Sequence, residues 1–127
     1  DKGPLDKFKV KKETLVDPKH FTSSKEGMRL AVNEAGGTAR RARIDGIEVA
    51  GKTGTAQNPH GNDHSVFMAF APFDNPKIAI AVFLENAGFG GTWAAPIGSL
   101  MIEKYLTREI LDELKEKRIL EKSFLEE

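Results

Sequence analysis

The sequence contains no cysteine, carries no net charge and has no long hydrophobic run. Without cysteine the chain can form neither a disulfide framework nor a Cys-based zinc or redox centre. Its 19 basic side chains balance 19 acidic ones, so the composition gives no support for a nucleic-acid groove or an anionic membrane surface. The longest apolar run, Ile78 to Leu84, has seven residues, whereas a helix needs about 20 to cross a bilayer. What is present is 127 residues of ordinary globular composition, enough for one domain with its own core.

The N-terminal part of the chain combines a lysine-rich stretch with one amphipathic segment. Residues 1–19 alternate lysine with apolar residues, and we expect extended chain or an edge strand there. A helix is predicted from a cap at Thr22, Ser23 or Ser24 to Ala35, because its apolar residues recur at helical spacing and two glycines follow it. The chain opens without an initiator methionine or a signal peptide, and we therefore expect a piece of a longer protein.

The middle of the chain predicts three strands in quick succession. Residues 47–57 are expected to pair with residues 39–44 through an Asp45-Gly46 hairpin turn. Residues 65–73 and 77–85 follow, and the turn signal Asp74-Asn75-Pro76 joins them. Such short connections imply antiparallel neighbours. Because residues 77–85 are apolar nearly throughout, we expect both faces of that strand to be covered.

The C-terminal part predicts one apolar helix followed by a charged segment. A glycine-rich loop at residues 88–91 leads to a helix from residue 93 or 96 to about 105. Residues 107–127 are highly charged with sparse apolar positions, as is typical of a solvated helix or tail. The predicted fold class is α+β, an antiparallel β-sheet flanked by helices.

One segment supports two incompatible chemistries. Residues 46–53 match the phosphate-loop pattern G-x-x-x-x-G-K-[ST], and Lys52-Thr53-Gly54 is the K-T-G element of serine acyl-transfer enzymes. A phosphate loop must open directly into a helix, but residues 47–50 alternate like a strand, and Gly54, Pro59 and Gly61 would break a helix. We therefore favour the strand, with a nucleotide-binding loop as a distant alternative.

The strand chemistry fits acyl transfer from a peptide that ends in a carboxylate. Lys52 supplies a cation that helps to move protons beside a nucleophile. Thr53 and Thr55 occupy alternate strand positions, so their hydroxyls share a face and can both bind a carboxylate. Gly54 between them has no side chain, which allows a substrate or a neighbouring element to approach closely.

From residue 28 to about 106 the sequence closely resembles the last part of a class B penicillin-binding transpeptidase domain, and most of all the elongation-type group, penicillin-binding protein 2. The residues that carry the resemblance are 27–28, 36–39, 49–57, 70–72, 74–82, 85–86 and 94–96. It implies the serine β-lactamase and penicillin-binding transpeptidase fold, in part. It divides the chain into an N-terminal segment, 1–19, the C-terminal part of the transpeptidase domain, 20–106, and a charged helix or tail, 107–127.

The resemblance also implies an activity and its residues. The parent protein would cross-link peptidoglycan stem peptides that end in D-Ala-D-Ala through an acyl-serine intermediate, bind β-lactams and need no cofactor. Lys52 and Thr55 are the implied catalytic residues, and the backbone N–H of Thr55 would form half of an oxyanion hole. Thr53, Gly54 and Thr55 would bind substrate at the strand edge. The implied location is the periplasmic face of the inner membrane, with an N-terminal membrane anchor outside this chain and a cell-wall elongation complex as partner.

Two motifs of that family are absent from the sequence. None of the five serines (Ser23, Ser24, Ser65, Ser99 and Ser123) begins S-x-x-K or S-x-N. We therefore expect a fragment that is inactive alone and needs the missing N-terminal part of its own domain. A D,D-carboxypeptidase or β-lactamase and a non-enzymatic β-lactam sensor remain alternatives, because they share the fold and the motifs.

Two histidines stand four residues apart beside the expected cleft. His60 and His64 have the spacing of a helical zinc pair, but Pro59, Gly61 and Asn62 argue against a helix there. We expect a loop that rims the cleft and no metal site. Within it, we expect His64 or the neighbouring Asp63 to contact substrate or to position the end of the strand.

Overall fold

A computed structural model of the protein describes residues 9–10 and 13–122. The extended segment predicted for residues 1–19 lies partly outside these residues, and the described residues 13–17 form no strand. Across the described residues the chain forms three α-helices, α1 (Lys19–Asn33), α2 (Ala94–Thr107) and α3 (Glu113–Leu120). Three strands lie between α1 and α2, namely β1 (Ala50–Ala56), β2 (His64–Ala71) and β3 (Ile78–Leu84). No helix in the described ranges is both long enough and apolar enough to span a bilayer.

The strands form one antiparallel sheet in the order β1-β2-β3. The α+β prediction, the three strands and their antiparallel pairing are therefore confirmed. The connections at residues 57–63 and 72–77 are too short for the crossover that parallel neighbours need, which favours antiparallel pairing of consecutive strands.

One face of the sheet carries the core. The register aligns Thr53, Phe67 and Val82 across the three strands, and all three are buried. Helix α2 packs on this face at Gly98, where a Cβ would be 2.7 Å from Cδ1 of Phe67. The close contact fixes the distance between helix and sheet. Helix α1 adds Val32 to the same cluster of buried residues.

The opposite face of the sheet is open to solvent. Here the register aligns Lys52, Met68 and Ala81, and Met68 is 53% exposed. Phe83 on the same face is 55% exposed. The prediction that both faces of β3 are covered is therefore wrong for the described residues, since only the face that contacts α2 is buried. An uncovered apolar face of this kind marks a contact surface.

Residues 39–44 do not form the predicted strand. Arg40–Ala42 form a 3-10 turn instead, and only one bridge, between Ile44 and Ile47, remains of the hairpin. The reason is burial: Ala39 and Ala42 lie three residues apart, the period of a 3-10 turn, and both are completely buried. The Asp45-Gly46 turn is present, with Gly46 at a positive φ of 77°.

Helix α1 begins earlier than predicted. Its first residue is Lys19, so Thr22, Ser23 and Ser24 lie inside the helix and do not cap it. The carboxylate of Asp17 accepts a hydrogen bond from the backbone N–H of Lys19 at 3.0 Å. It thereby satisfies one of the free backbone amides at the helix start, the capping role that the sequence predicts for the hydroxyl of Thr22, Ser23 or Ser24.

Candidate active site

The predicted site segment lies in the middle of an edge strand. Within the described residues β1 pairs with β2 alone, so its second edge has no strand partner. Lys52, Thr53, Gly54 and Thr55 all fall inside this strand, which continues to Ala56. The strand continues past Thr53 and no helix begins directly after it. The phosphate-loop alternative therefore fails on geometry. An edge strand with free N–H and C=O groups is suited to pairing with an extended peptide.

Lys52 lies on the open face of the sheet with its ammonium group folded back along the strand. Its Nζ donates a hydrogen bond to the backbone oxygen of Thr53 at 2.6 Å. The side chain is exposed, and its register partner Met68 is also exposed. The ammonium group thus stays beside the edge of β1, where an incoming group can reach it.

The two threonines share a face, as predicted, but differ in accessibility. Thr53 is only 8% exposed, and its hydroxyl donates to Oγ1 of Thr38 at 3.4 Å. Thr55 is exposed. Strand alternation predicts only that both hydroxyls lie on one face. It contains no information on Thr38, which lies beside the hydroxyl of Thr53. In this arrangement Thr55 presents its hydroxyl freely and Thr53 presents its hydroxyl only beside that of Thr38.

A surface hollow lies on the Thr38 side of β1. It has a volume of about 570 Å³ and is lined by Gly37, Thr38, Arg40, Arg41, Phe89, Gly91 and Thr92. Two arginines and two threonines are among its lining residues, and such side chains suit an anionic group. The sequence did not indicate it, because the lining comes from two loops about fifty residues apart in the chain.

The glycine-rich loop, residues 88–91, packs directly against β1 and β2. A Cβ on Gly90 would overlap the carbonyl oxygens of Gly54 and Val66, so only glycine permits this approach. The loop carries Phe89, which is 62% exposed. The close approach that we expected at Gly54 is therefore made within the protein, by another glycine.

His64 is placed at the end of β2 and is fixed by two contacts. Its Nδ1 accepts the backbone N–H of Asn86 at 3.1 Å, and its ring centroid lies 5.2 Å from that of Phe83. The hydrogen bond requires Nδ1 to be unprotonated, which leaves Nε2 as the nitrogen available to a substrate. The structure places His64 at the Thr55 end of β1, opposite Ala56.

The loop that joins β1 to β2 is held by amide and carboxylate hydrogen bonds. The Asp63 carboxylate accepts the N–H of Asn58 at 3.1 Å, and Nδ2 of Asn58 donates to Oδ1 of Asn86 at 2.7 Å. The backbone oxygen of Asp63 accepts the N–H of Gly88 at 2.7 Å. These bonds tie the predicted rim to the glycine-rich loop. Across residues 9–10 and 13–122, no group of three or more His, Cys, Asp or Glu side chains is placed to hold a metal ion.

Sequence comparison gives one family and a set of relatives. Residues 5–103 match the penicillin binding protein transpeptidase domain. The peptidoglycan D,D-transpeptidase MrdA of Haemophilus influenzae is 41% identical over 106 residues, which cover 71% of this chain and 16% of that protein. The chain thus spans about a sixth of the length of the curated relative that it matches.

Structure comparison agrees with the sequence comparison. The crystal structure of Pseudomonas aeruginosa PBP2 in complex with WCK 5153 matches with a TM-score of 0.70 and 36% identity, over 88% of this chain and 24% of that one. The complex of PBP2 with MreC from Helicobacter pylori matches with a TM-score of 0.59 and 30% identity, over 68% of this chain and 17% of that one. The resemblance noted from the motifs is confirmed, and so is the partial transpeptidase fold.

Proposed function

The chain belongs to the penicillin-binding protein transpeptidase family, and from that membership we propose that it is the C-terminal part of a peptidoglycan D,D-transpeptidase domain. On this proposal residues 20–106 supply the C-terminal part of the domain, residues 1–19 form an extended segment before it and residues 107–127 form a charged helix or tail after it. The observation that carries the proposal is geometric. The K-T-G residues lie on an edge strand with Lys52 and Thr55 exposed, and Thr53 contacts Thr38 in the lining of a hollow that suits an anion.

The proposed reaction takes place along the edge of β1. A serine hydroxyl supplied from outside the described residues attacks the carbonyl carbon of the penultimate D-alanine of a stem peptide. The peptide C–N bond breaks, the terminal D-alanine leaves with a proton, and the acyl group then passes to the amine of a second stem. The Lys52 ammonium helps the serine proton to move and attracts the substrate carboxylate. The backbone N–H of Thr55 stabilises the oxyanion, and the hydroxyls of Thr53 and Thr55 bind the carboxylate.

The open face of the sheet supports the proposal that the chain works with the rest of its own domain. Met68 and Phe83 are each more than half exposed on that face, and covering the exposed part stabilises an association by about 1–1.5 kcal/mol for each side chain. The absent S-x-x-K and S-x-N motifs belong to the same missing part. The fragment alone is therefore inactive on this proposal.

Binding partners follow from the same membership. β-Lactams would acylate the same serine, as the family's description as penicillin binding indicates. The Helicobacter pylori relative forms a complex with MreC, and by analogy the parent protein would join a cell-wall elongation complex. Its location would be the periplasmic face of the inner membrane, with an anchor outside this chain. His64 would contact the substrate through Nε2.

Fluorescent-penicillin labelling of the full-length parent tests the proposal. We expect covalent labelling of the parent and none of the fragment. Lys52→Ala should slow acylation by about 100-fold or more, the usual effect of removing one group that stabilises developing charge. Lys77→Ala is the matched control, since Lys77 is an exposed lysine in the turn between β2 and β3. A parent that is never labelled, or equal effects of both variants, would reject the assignment.

The products formed from a stem peptide separate the related activities. A transpeptidase joins two stems and releases D-alanine. A carboxypeptidase or β-lactamase transfers the acyl group to water, so the trimmed or hydrolysed product appears without a dimer. A sensor is acylated and gives neither product.

A further inference from the structure

One buried hydroxyl joins three separate elements of the fold. Ser65 in β2 is completely buried. Its Oγ donates to the backbone oxygen of Phe89 at 3.2 Å and accepts the backbone N–H of Ala94 at 3.1 Å. The same oxygen atom therefore holds the strand, the glycine-rich loop and the first residue of α2 together. A serine hydroxyl can make both bonds at once because it is donor and acceptor.

Ser65 lies directly opposite the candidate oxyanion residue. The register pairs Ser65 with Thr55, so their side chains project from the same face of the sheet. One residue further along the loop from Phe89, Gly90 contacts the carbonyl oxygens of Gly54 and Val66 so closely that no Cβ fits. A hydrogen bond at Ser65 and a backbone contact at Gly54 thus fix the loop beside Thr55, in addition to the hydrogen bond from Gly88 to Asp63.

We propose that Ser65 is a positioning residue for acylation, which holds the glycine-rich loop and its exposed Phe89 at the Thr55 end of β1. The inference rests on the proposed function of that strand. Without the hydroxyl, the buried backbone N–H of Ala94 loses its partner, while the carbonyl of Phe89 keeps the N–H of Thr92. Because unpaired buried polar groups are unfavourable, the loop shifts to recover hydrogen bonds, and the wall beside Thr55 moves with it.

The chain contains a matched control for this substitution. Ser99 in α2 is also completely buried, but its Oγ donates only to the backbone oxygen of Pro96, one turn earlier in the same helix. Ser99→Ala removes the same atom from an equally buried position without touching the loop or the strand. Ser99→Ala therefore controls for the loss of a fully buried hydroxyl as such.

The test measures the second-order rate constant of acylation by a fluorescent penicillin in the full-length protein. We expect Ser65→Ala to lower it about tenfold, with Ser99→Ala within about twofold of wild type, at a temperature where all three proteins are folded. Amide hydrogen exchange of residues 88–94 should be faster in Ser65→Ala and unchanged in Ser99→Ala. If Ser65→Ala fails to fold, Ser65→Cys preserves most of the packing, weakens both hydrogen bonds and should lower the rate about threefold.

Each outcome has one meaning. If wild type is labelled and Ser65→Ala acylates at the same rate, the inference is wrong and the proposed function stands. Equal losses of rate in Ser65→Ala and Ser99→Ala also overturn the inference, because they indicate a general effect of stability. A wild-type protein that is never labelled rejects the proposed function and this inference together.

Discussion

The same substitution, glycine to alanine, should have opposite effects in two helices of this protein. Gly27 lies on the exposed side of α1, and a Cβ there would meet no atom within 4 Å. Gly98 lies in α2, and a Cβ there would be 2.7 Å from Cδ1 of Phe67 and 3.4 Å from Cγ2 of Val82. Because alanine is favoured over glycine inside a helix by about 1 kcal/mol at either position, a difference in sign must come from packing.

Phe67 has no room to move away from an added methyl group. Its ring is completely buried, and on the other side a Cβ on Gly51 would be 2.6 Å from its Cζ. The ring is therefore enclosed by two glycines, one in β1 and one in α2. Overpacking a tight core costs about 1–3 kcal/mol, which exceeds the gain in helix propensity. We expect Gly98→Ala to lower the free energy of unfolding by about 1 kcal/mol and Gly27→Ala to raise it by about 0.5–1 kcal/mol.

Urea denaturation of the full-length protein and of both variants measures this difference. Adding Phe67→Leu to Gly98→Ala should recover part of the loss, because the two changes share one contact and are not additive. A Gly98→Ala protein as stable as Gly27→Ala would show that Phe67 is not held between the two glycines, and the described packing of α2 on the sheet would be refuted.

Two further predictions concern a buried and an exposed carboxylate. Glu103 is only 4% exposed, and its Oε2 accepts the backbone N–H of Leu111 at 3.2 Å. Glu103→Ala should therefore lower the free energy of unfolding by about 1–3 kcal/mol, as measured by urea denaturation. Glu103→Gln keeps an acceptor oxygen and should lower the free energy of unfolding by less. A side-chain hydrogen bond from Arg29 lowers the pKa of Glu26 from its ordinary value of 4.5. The stability that this hydrogen bond contributes is present above the ordinary pKa and is lost as pH falls through the lowered pKa. The acid-induced loss of helicity, followed by circular dichroism, should therefore become shallower in Glu26→Gln. The control variant Glu34→Gln should leave it unchanged.

The sequence was most informative where local pattern and tertiary burial agree. The strands at residues 65–73 and 77–85 are predicted from apolar runs joined by a strong turn signal, and β2 and β3 confirm them. The prediction failed at residues 39–44, where the hairpin signal Asp45-Gly46 is real but burial of Ala39 and Ala42 forms a 3-10 turn. Predicting this 3-10 turn in place of the strand requires knowledge of where α2 packs, and no local sequence pattern contains that information.

The candidate site shows the same division between strand chemistry and loop packing. Alternation along β1 is enough to place Lys52 on one face and Thr53 with Thr55 on the other, and the register agrees. It cannot distinguish Thr53 from Thr55, because their difference in exposure arises from residues outside the strand. Ser65 is hidden for a related reason: a single serine in an apolar strand usually signals nothing, and only the arrival of the glycine-rich loop gives its hydroxyl two partners. The sequence therefore specifies which groups could react, while the loops decide which of them a substrate can reach.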